Sequence, residues 1–454
     1  MARPPKITPE ILRPLIRWRG PVSATELGHA LKVNRTTIGR ALPDLGSDLV
    51  TLGATRSSRY LLRRPLRNGR NSWPIYRIDA EGRAAEWAQL EAFHETHWRV
   101  TWAGAFPAWA GHLQRSDGLW NGFPFFLADL RPQGFLGRAS ARQLSISLQL
   151  PEDFRQWNDD DVLVYLDSAS DDLPGNLVVG DDCLRRALGR EMPENSEAYA
   201  ARAAQAAVVR RGSSAGGEQP KFLTVAPNDS GQLQPVLVKF SASMEQQTGQ
   251  RWGDLLLCEY HALTVLAEAG LAAPGTRILD EGRRRFLEVP RFDRTVAGGR
   301  RGVISLEALH ASAVGTLART WPEAALNLQN AGLLDSDGVE TVRRLHAFGE
   351  LIGNTDMHFG NLSFWLDDTL PFRVAPIYDM LPMLWAPSAQ GEILERPFSP
   401  LPPVPADRAL WQDSALLAEP FWARASADAQ LSEPFRQRAG ECLRVVQKLR
   451  NRVG

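Results

Sequence analysis

The sequence predicts an α+β protein with a small basic head, a middle region that mixes strands and helices, and a mainly helical C-terminal region. Short helical patterns and one hairpin pattern characterise the first 80 residues. An apolar strand pattern, "PVLVKF", follows near the middle of the chain. From Ser414 to Val453, apolar residues recur at helical spacing, which predicts helices at the C-terminal end.

The composition is that of a soluble globular protein. The chain has 454 residues, of which 44% are hydrophobic and 23% are charged. It contains no apolar run long enough for a membrane span, and "MARPPKITPE" lacks the apolar core of a secretory signal. The three cysteines, Cys183, Cys258 and Cys442, are too scattered for a disulfide framework. We therefore expect a cytoplasmic protein with no membrane partner.

The charge is unevenly distributed along the chain. Residues 1–80 contain 15 Lys and Arg against 5 Asp and Glu, whereas the rest contains 37 against 47. A basic head on an acidic body suggests contact with a polyanion. A solvated basic face explains the same counts, and charge alone does not choose between the two.

The head also carries a helix-turn-helix pattern. Ser23 and Glu26 have the spacing of a capping box, and Asn34 can cap a second helix that begins "RTTIGRAL". Pro43 lies late in this helix and is expected to shorten it. In a DNA complex the second helix would enter the major groove. The side chains expected near bases or phosphates are Arg35, Thr36, Thr37 and Arg40.

A hairpin pattern follows the two helices. The stretch "LVTLGATRSSRYLLRR" has two apolar runs around a turn, and Arg56 and Arg59 would point toward phosphate. The whole head resembles winged helix-turn-helix DNA-binding domains. The alternative is that such a module mediates only protein contacts.

The middle region gives weaker patterns. The first half of "GRAAEWAQLEAFHETHWRV" is expected to be helical, and "RQLSISLQL" alternates like a strand. The acidic stretch "NDDDVLVYLDSASDDLPGNLVVGDD" could bind a metal, but a solvated loop is the expectation that we favour.

Three further features have the order expected of a nucleotide-binding lobe. The segment "RGSSAGGEQPKF" is a small-residue loop that could approach phosphate closely, although a surface turn is the better explanation of this loop taken alone. Lys239 ends an apolar strand, as does the lysine that binds nucleotide phosphates in kinases. Glu259 follows on an amphipathic helix, where a carboxylate can hold that lysine.

The stretch "GNTDMHFGNLSFW" completes the series. Asp356 and Asn361 have the five-residue offset of the catalytic Asp and the Mg²⁺-binding Asn of kinases. Asp379 follows in "VAPIYDMLPM", at the end of an expected apolar strand, where a second metal-binding Asp would lie. His358 is expected to be structural, and "LSFW" to be a strand that anchors the loop. Phosphoryl transfer needs cations and precise positioning. Carboxylate and amide oxygens, as on Asp379 and Asn361, are the ligands that Mg²⁺ prefers, and the ammonium group of Lys239 would steady the phosphates.

These motifs resemble the HipA family of bacterial serine/threonine kinase toxins. The resemblance covers residues 105–440 and is specific at "SSAGGEQPKF", "VPRFDR", "GNTDMHFGNLSF" and "IYDMLP". It implies ATP and Mg²⁺ as cofactors, Asp356 as the catalytic base together with Lys239, and Asn361 and Asp379 as metal ligands. The family motif is matched by Asn354, Asp356, His358, Asn361 and Ser363. The residues expected to contact ATP are Ser214, Gly216, Gly217, Lys221, Lys239, Phe292, His358 and Asn361.

The resemblance also implies regulation and partners. In the family a serine of the glycine-rich loop becomes autophosphorylated, which implies Ser214 here, with Ser213 as the adjacent alternative. Family members modify aminoacyl-tRNA synthetases and arrest growth, so the implied substrate is a protein of this kind. A separate antitoxin stays open as a partner.

The chain departs from the family pattern at three places. Pro290 stands where an acidic hinge residue is usual, and Gly360 replaces the usual lysine before Asn361. The head is the third departure, since the family kinase usually works with a separate DNA-binding antitoxin. The arrangement resembles the HipH-like branch, with both parts on one chain.

The predicted architecture is therefore a HipA-type bilobal kinase-like fold preceded by a small winged helix-turn-helix domain. The expected divisions are a DNA-binding head over 1–80, a mixed N-terminal lobe over 81–293 and a mainly helical C-terminal lobe over 294–454.

Two other functions compete with the kinase hypothesis. The first is a DNA-binding transcriptional regulator whose kinase fold is degenerate, against which Lys239, Asp356, Asn361 and Asp379 argue by their presence. The second is a metal-dependent DNA nuclease, although the sequence shows no nuclease motif.

Overall fold

The computed structural model describes residues 7–54, 57–67, 69–115, 117–189, 199–210, 219–315 and 317–453. Some of the predicted site residues lie outside these ranges, namely Arg56, Ser213, Ser214, Gly216 and Gly217.

The head contains three helices and a small antiparallel sheet of order β1-β3-β2. Its elements are α1 (Pro9–Arg19), β1 (Val22–Ser23), α2 (Ala24–Leu31), α3 (Arg35–Ala41), β2 (Leu49–Leu52) and β3 (Arg59–Leu62).

The predicted caps of the head helices are present. The Glu26 N–H donates to Ser23 Oγ at 3.2 Å, and the Ser23 N–H donates to Glu26 Oε2 at 2.7 Å, which is the capping box of α2. Asn34 Oδ1 accepts from the Thr37 N–H at 2.8 Å at the start of α3. The α-helix ends before Pro43, and a 3₁₀ turn over Leu42–Asp48 leads into the hairpin.

The described residues after the head form a five-stranded antiparallel sheet of order β7-β6-β5-β4-β8 and five α-helices. Its strands are β4 (Ser72–Ile78), β5 (Ala84–Ala92), β6 (His97–Trp102), β7 (Leu119–Asn121) and β8 (Leu177–Val179). Its helices are α4 (Ala110–Leu113), α5 (Phe125–Ala128), α6 (Gly134–Ser145), α7 (Asp159–Ala169) and α8 (Asp181–Leu188).

Two sequence expectations in this region are wrong. The segment expected to be helical contains β5, in which Trp87, Ala88 and Leu90 are buried between two neighbouring strands. The alternating stretch "RQLSISLQL" begins inside α6, whose buried positions Ala141 and Ser145 lie four residues apart. In both cases tertiary packing overrides a short local pattern.

The acidic stretch is neither a metal site nor a solvated loop. Asn158 caps α7 and forms a capping box with Asp161. The carboxylates of Asp160, Asp161 and Asp167 form ion pairs with basic residues between β3 and β4, within the first 80 residues, namely Arg64, Arg67 and Arg70. The acidic helix is therefore one side of the junction between the head and the body.

The next region contains the four-stranded antiparallel sheet β11-β12-β10-β9 and a long helix. Its elements are α9 (Tyr199–Arg210), β9 (Lys221–Pro227), β10 (Leu233–Phe240), α10 (Gln247–Glu268), β11 (Arg277–Glu281) and β12 (Arg284–Pro290). The C-terminal region is mainly helical, as expected. Its elements are β13 (Val303–Ser305), α11 (Leu306–Ala313), α12 (Trp321–Asn330), α13 (Ser336–Leu351), β14 (Ser363–Trp365), α14 (Arg408–Ala427) and α15 (Glu433–Val453).

The pairing of the strands bears on the expected domain divisions. β4 lies before residue 80 but pairs with β5 and β8, so it is part of the five-stranded sheet. The segment 81–293 contains strands of two separate sheets. The five-stranded region also contacts the C-terminal region, since the Ser305 N–H donates to Asp129 Oδ2 at 2.8 Å and Arg77 Nη1 donates to Asp368 Oδ2 at 2.7 Å.

Among the described residues, the helices are all too short or too polar to cross a membrane.

Glu91 provides a test of the junction between the head and the body. Its carboxylate accepts from Arg63 at 2.9 and 3.0 Å and from Arg99 Nε at 2.8 Å, and the residue is buried. We expect Glu91→Gln to lower the free energy of unfolding by about 2 kcal/mol, because both guanidinium groups lose their anionic acceptor. Urea denaturation followed by tryptophan fluorescence measures this, with Glu86→Gln on the exposed side of β5 as the control. An equal effect of both variants would contradict the prediction.

Candidate active site

A buried lysine joins three distant segments of the chain. Lys239 lies near the end of β10, and its ammonium group donates to Glu259 Oε1 on α10 at 2.5 Å and to Asp379 Oδ1. Lys239 is 3% exposed and Glu259 is 1% exposed. The predicted lysine, helix carboxylate and downstream aspartate therefore meet at one point.

The charges of this cluster stabilise one another. Burial alone would lower the pKa of Lys239, but Asp379 and Glu259 outweigh it and raise that pKa above its usual value. Burial favours the neutral form of Asp379, yet Lys239 and Lys221 hold its pKa well below the usual range. Burial raises the pKa of Glu259, which shares the lysine. The cluster at neutral pH is thus a shared ammonium with Asp379 ionised.

A second lysine lies beside the first. Lys221 on β9 is the direct cross-strand partner of Lys239 on β10. Like charges opposite each other in a sheet are unfavourable unless anions lie nearby. The charge of Lys221 favours the ionised forms of Asp356 and Asp379. This end of the sheet is therefore suited to a polyanion.

The loop that contains Asp356 begins at Gly353 and leads into β14. Gly353 has φ of +74°, a conformation that favours glycine. Asn354 is buried, and its Oδ1 accepts from the Asp356 N–H at 3.0 Å while its Nδ2 donates to the Asp379 carbonyl at 3.3 Å. One amide side chain thereby connects the backbone of Asp356 with that of Asp379.

Asp356 itself is exposed to solvent. The protein around its carboxyl group removes part of its hydration, and this partial burial raises its pKa, with the charge of Asp379 adding to the effect. A carboxyl group of this kind can accept a proton from a hydroxyl group near neutral pH.

Asn361 is buried at the other end of the loop. Its Nδ2 donates to the Asp356 carbonyl at 2.9 Å, which orients Oδ1 for another contact. Asp379 uses Oδ1 toward Lys239, which leaves Oδ2 for another ligand. A carboxylate oxygen and an amide oxygen are ligands that Mg²⁺ prefers, so this donor set fits the metal.

Three sequence expectations around the loop have clear outcomes. "LSFW" contributes β14, as expected. Asp379 does not end a strand, because Ile377 forms only an isolated bridge with Ala272 and Asp379 has φ of +54°. His358 caps the 3₁₀ turn Phe359–Asn361, and its Nδ1 accepts from the Gly360 N–H at 3.1 Å.

Phe292, which was also expected at the nucleotide, lies just after β12, in the segment predicted to form the hinge. Pro290 ends β12, and the next N–H, that of Arg291, donates to the Pro235 carbonyl at 3.0 Å. The Phe292 ring stacks on that of Tyr378, with centroids 5.9 Å apart and planes at 26°. Tyr378 was not among the residues predicted at the site, although it directly precedes Asp379 in "IYDMLP".

The predicted DNA-contacting residues lie on two faces of the head. Arg35, Thr36 and Arg40 are exposed on α3, whereas Thr37 is half-buried and its hydroxyl donates to Asn34 Oδ1 at 2.8 Å. Arg59 at the start of β3 donates to the Pro21 carbonyl at 2.9 Å and lies 4.0 Å from Glu26, so its guanidinium already has partners within the head.

Comparison with known proteins supports this reading of the body. A family model described as "HipA-like C-terminal domain" matches residues 213–446, and one described as "YjjJ-like toxin, middle domain" matches residues 69–188. The chain is 34% identical over 448 residues to "Toxin YjjJ" of Escherichia coli (strain K12), covering 96% of this chain and 97% of the relative.

The chain belongs to the HipA toxin family.

One solved structure agrees with the fold of this HipA-family chain. HipA of Shewanella oneidensis MR-1, in a complex with HipB and its operator DNA, aligns with a TM-score of 0.51 at 16% identity over 83% of this chain and 97% of that chain. The Helicobacter pylori proinflammatory kinase CtkA aligns with a TM-score of 0.37 at 12% identity over 53% and 92%. The first likeness shows a bilobal kinase-like fold, and the second is too low to carry an argument.

The middle-domain match coincides with the five-stranded sheet of this HipA-family protein. It begins at residue 69, close to the start of β4, and ends at residue 188, where α8 ends. The HipA-like match then spans the four-stranded sheet and the helical region.

The shared lysine predicts a pH-dependent change in stability. Lys239→Met leaves two carboxylates beside each other without their ammonium group, so we expect it to lower the free energy of unfolding at pH 7 by about 3 kcal/mol. In the wild type the lowered pKa of Asp379 gives stability that is present above its unfolded pKa of about 3.9 and is lost as the pH falls.

Between pH 4 and pH 8 the wild type keeps this stability. In the variant no ammonium group opposes the effect of burial, so its carboxyl groups take up protons as the pH falls toward 4 and the deficit should shrink over that range. Thermal unfolding between pH 4 and pH 8 measures this, with the exposed Lys448→Met on α15 as the control. A deficit that is the same at every pH would contradict the prediction.

Proposed function

We propose that this chain is an ATP- and Mg²⁺-dependent serine/threonine protein kinase of HipA toxin type with a DNA-binding head. The observation that carries this proposal is the Lys239 ammonium between Glu259 and Asp379. Kinases need such a lysine–carboxylate pair beside a metal-binding aspartate. The family membership of the chain supports the same conclusion.

Asn361 and Asp379 are the proposed metal ligands. Mg²⁺, when bound, neutralises charge on the phosphate oxygens of the group being transferred. Lys239 and Lys221 would hold the remaining phosphate oxygens, since both lie at the same end of the sheet. Phe292 and His358 are proposed to complete the nucleotide site on its hinge side and loop side.

Asp356 is the proposed catalytic base. Its backbone is fixed by Asn354 on one side and by Asn361 on the other. The carboxyl group would orient a serine or threonine hydroxyl of a protein substrate and accept its proton as the phosphoryl group is transferred. The raised pKa of Asp356 suits this proton transfer.

The proposed targets follow from the family resemblance. One is the chain itself at Ser214, with Ser213 as the alternative, in the glycine-rich loop with Gly216 and Gly217. Another is a separate protein of the aminoacyl-tRNA synthetase class. A solved HipA occurs with HipB, and we propose an antitoxin of that kind as a further partner.

The head is proposed to bind DNA as a winged helix-turn-helix domain. The exposure of Arg35, Thr36 and Arg40 on α3, after a capped turn, supports this proposal. We also propose contacts with the DNA from Thr37 on α3 and from Arg56 and Arg59 in the predicted hairpin. Point variants test it better than removal of residues 1–80, because such a removal also deletes β4 from the five-stranded sheet.

The kinase activity is tested with Asp356→Asn. Loss of the base should lower phosphate transfer from labelled ATP by about 10²- to 10⁴-fold while thermal unfolding and ATP binding stay close to those of the wild type. Mass spectrometry of the chain and of co-purified proteins identifies the phosphorylated residues. The exposed Asp229→Asn is the matched control.

Two outcomes would contradict the kinase proposal. A wild-type chain that binds no ATP in the presence of Mg²⁺ and transfers no phosphate supports a regulator with a degenerate kinase fold. Plasmid nicking that needs Mg²⁺ but no ATP supports a nuclease.

DNA binding is tested with Arg40→Ala. We expect affinity for a mixed-sequence duplex to fall about tenfold at low salt, and the slope of log affinity against log salt to decrease by about one. Fluorescence anisotropy at several salt concentrations measures both quantities. Lys448→Ala on the distant α15 is the control, and equal affinities of the two variants would contradict the groove assignment of α3.

A further inference from the structure

The Tyr378 hydroxyl lies between two segments that carry the proposed metal ligands. It donates to the Gly360 carbonyl at 2.8 Å and lies 2.7 Å from Ser363 Oγ. Gly360 directly precedes Asn361, and Tyr378 directly precedes Asp379. A single phenol group therefore connects the peptide units next to both ligands.

The direction of these hydrogen bonds follows from counting protons. A phenol has one proton, and a carbonyl oxygen can only accept, so the Tyr378 proton is used toward Gly360. Ser363 must then donate to the Tyr378 oxygen. Ser363, Tyr378 and Gly360 thus form a directed chain across the site.

The backbone that this chain holds is strained. Asp379 has φ of +54°, a backbone conformation that residues other than glycine adopt uncommonly. Such a conformation persists only where the surrounding structure fixes it. Asn354 Nδ2 holds the Asp379 carbonyl on one side, at 3.3 Å. On the other side, the preceding residue Tyr378 is fixed by the hydrogen bond from its hydroxyl group to the Gly360 carbonyl.

The ring of Tyr378 has a separate role in packing. It stacks on Phe292, and Phe292 in turn meets Trp365 edge-on with centroids 5.7 Å apart. A phenylalanine at position 378 would keep these ring contacts and remove only the hydroxyl group. The hydroxyl can therefore be tested separately from the packing.

We propose that Tyr378 is a positioning residue that sets the separation of Asn361 from Asp379 through its hydroxyl, and thereby the affinity for the divalent cation. This inference rests on the proposed kinase function. Tyr378 makes no contact with the reacting groups in this role, since it acts through the two ligands. Ser363 supports it by fixing the direction of the phenol proton.

The test compares Tyr378→Phe with Tyr165→Phe. Tyr165 is a matched control, because it is buried in α7 and its hydroxyl pairs with Ser140 Oγ at 3.0 Å, far along the chain from the site. Each variant loses a tyrosine–serine hydroxyl pair, and Tyr378→Phe also loses the hydrogen bond to the Gly360 carbonyl. We therefore expect both variants to lower the thermal unfolding midpoint, Tyr378→Phe by somewhat more.

Only Tyr378→Phe should change the metal dependence. We expect the Mg²⁺ concentration for half-maximal phosphate transfer, and that for the half-maximal rise of the thermal unfolding midpoint on addition of Mg²⁺, each to increase about tenfold. The maximal rate should fall, while the KM for ATP at saturating Mg²⁺ should stay within about twofold, because the contacts of Lys239 and Phe292 are kept. If Tyr378→Phe does not fold, Ser363→Ala is measured instead and should shift the Mg²⁺ dependence in the same direction.

The outcomes separate the inference from the proposed function. An active wild type with Mg²⁺ dependence unchanged in Tyr378→Phe, or in Ser363→Ala where that variant replaces it, overturns the positioning role alone. A wild type that transfers no phosphate overturns the proposed function, and the inference falls with it. An equal shift in Tyr165→Phe would show a general loss of stability and would also overturn the inference.

Discussion

The fold of the body depends on the ammonium group of Lys239. An isolated lysine or carboxylate in this position would be costly to bury, but the three groups of Lys239, Glu259 and Asp379 compensate one another. The three groups can therefore be buried at low cost only when the ammonium group lies between the two carboxylates. The two ion pairs join the sheet, the long helix α10 and the segment around residue 379, and Asn354 connects that segment with the loop of Asp356.

The second constraint is electrostatic and joins the head to the body. The sequence shows an excess of positive charge in the first 80 residues, and that excess suggested contact with a polyanion. Part of it has a partner within the chain, because Arg63 pairs with Glu91, Arg64 with Asp160 and Arg70 with Asp167. The net charge of a segment therefore overstates the charge that it can present to DNA. The candidates for DNA contact are instead set by exposure on α3.

The sequence allowed the residues that meet at the candidate site to be predicted better than their surroundings. The five-residue offset of Asp356 and Asn361 and the strand position of Lys239 could be recognised because catalytic loops need fixed residue types at fixed spacing. The helix expected at β5 was wrong, because Trp87 and its neighbours are fixed by two flanking strands that no local pattern reveals. The hydrogen bond of Tyr378 could not be predicted for a similar reason. Its partner Gly360 is 18 residues away, and the group that accepts is a backbone carbonyl, which every residue has.

Gly360 stands where the family resemblance leads one to expect a lysine, and the space around it explains why it has no side chain. A Cβ atom at this position would lie 3.0 Å from two ring atoms of His358 and 3.5 Å from Glu307 Oε2, so the turn favours a residue without one. The positive charge that the resemblance leads one to expect here is therefore absent from the loop. Lys221 supplies a cation from the opposite side, where it faces Lys239 across the sheet and favours the ionised forms of Asp356 and Asp379. The candidate site thus contains two lysines, and the loop carrying Asn361 contacts Tyr378 through the Gly360 carbonyl.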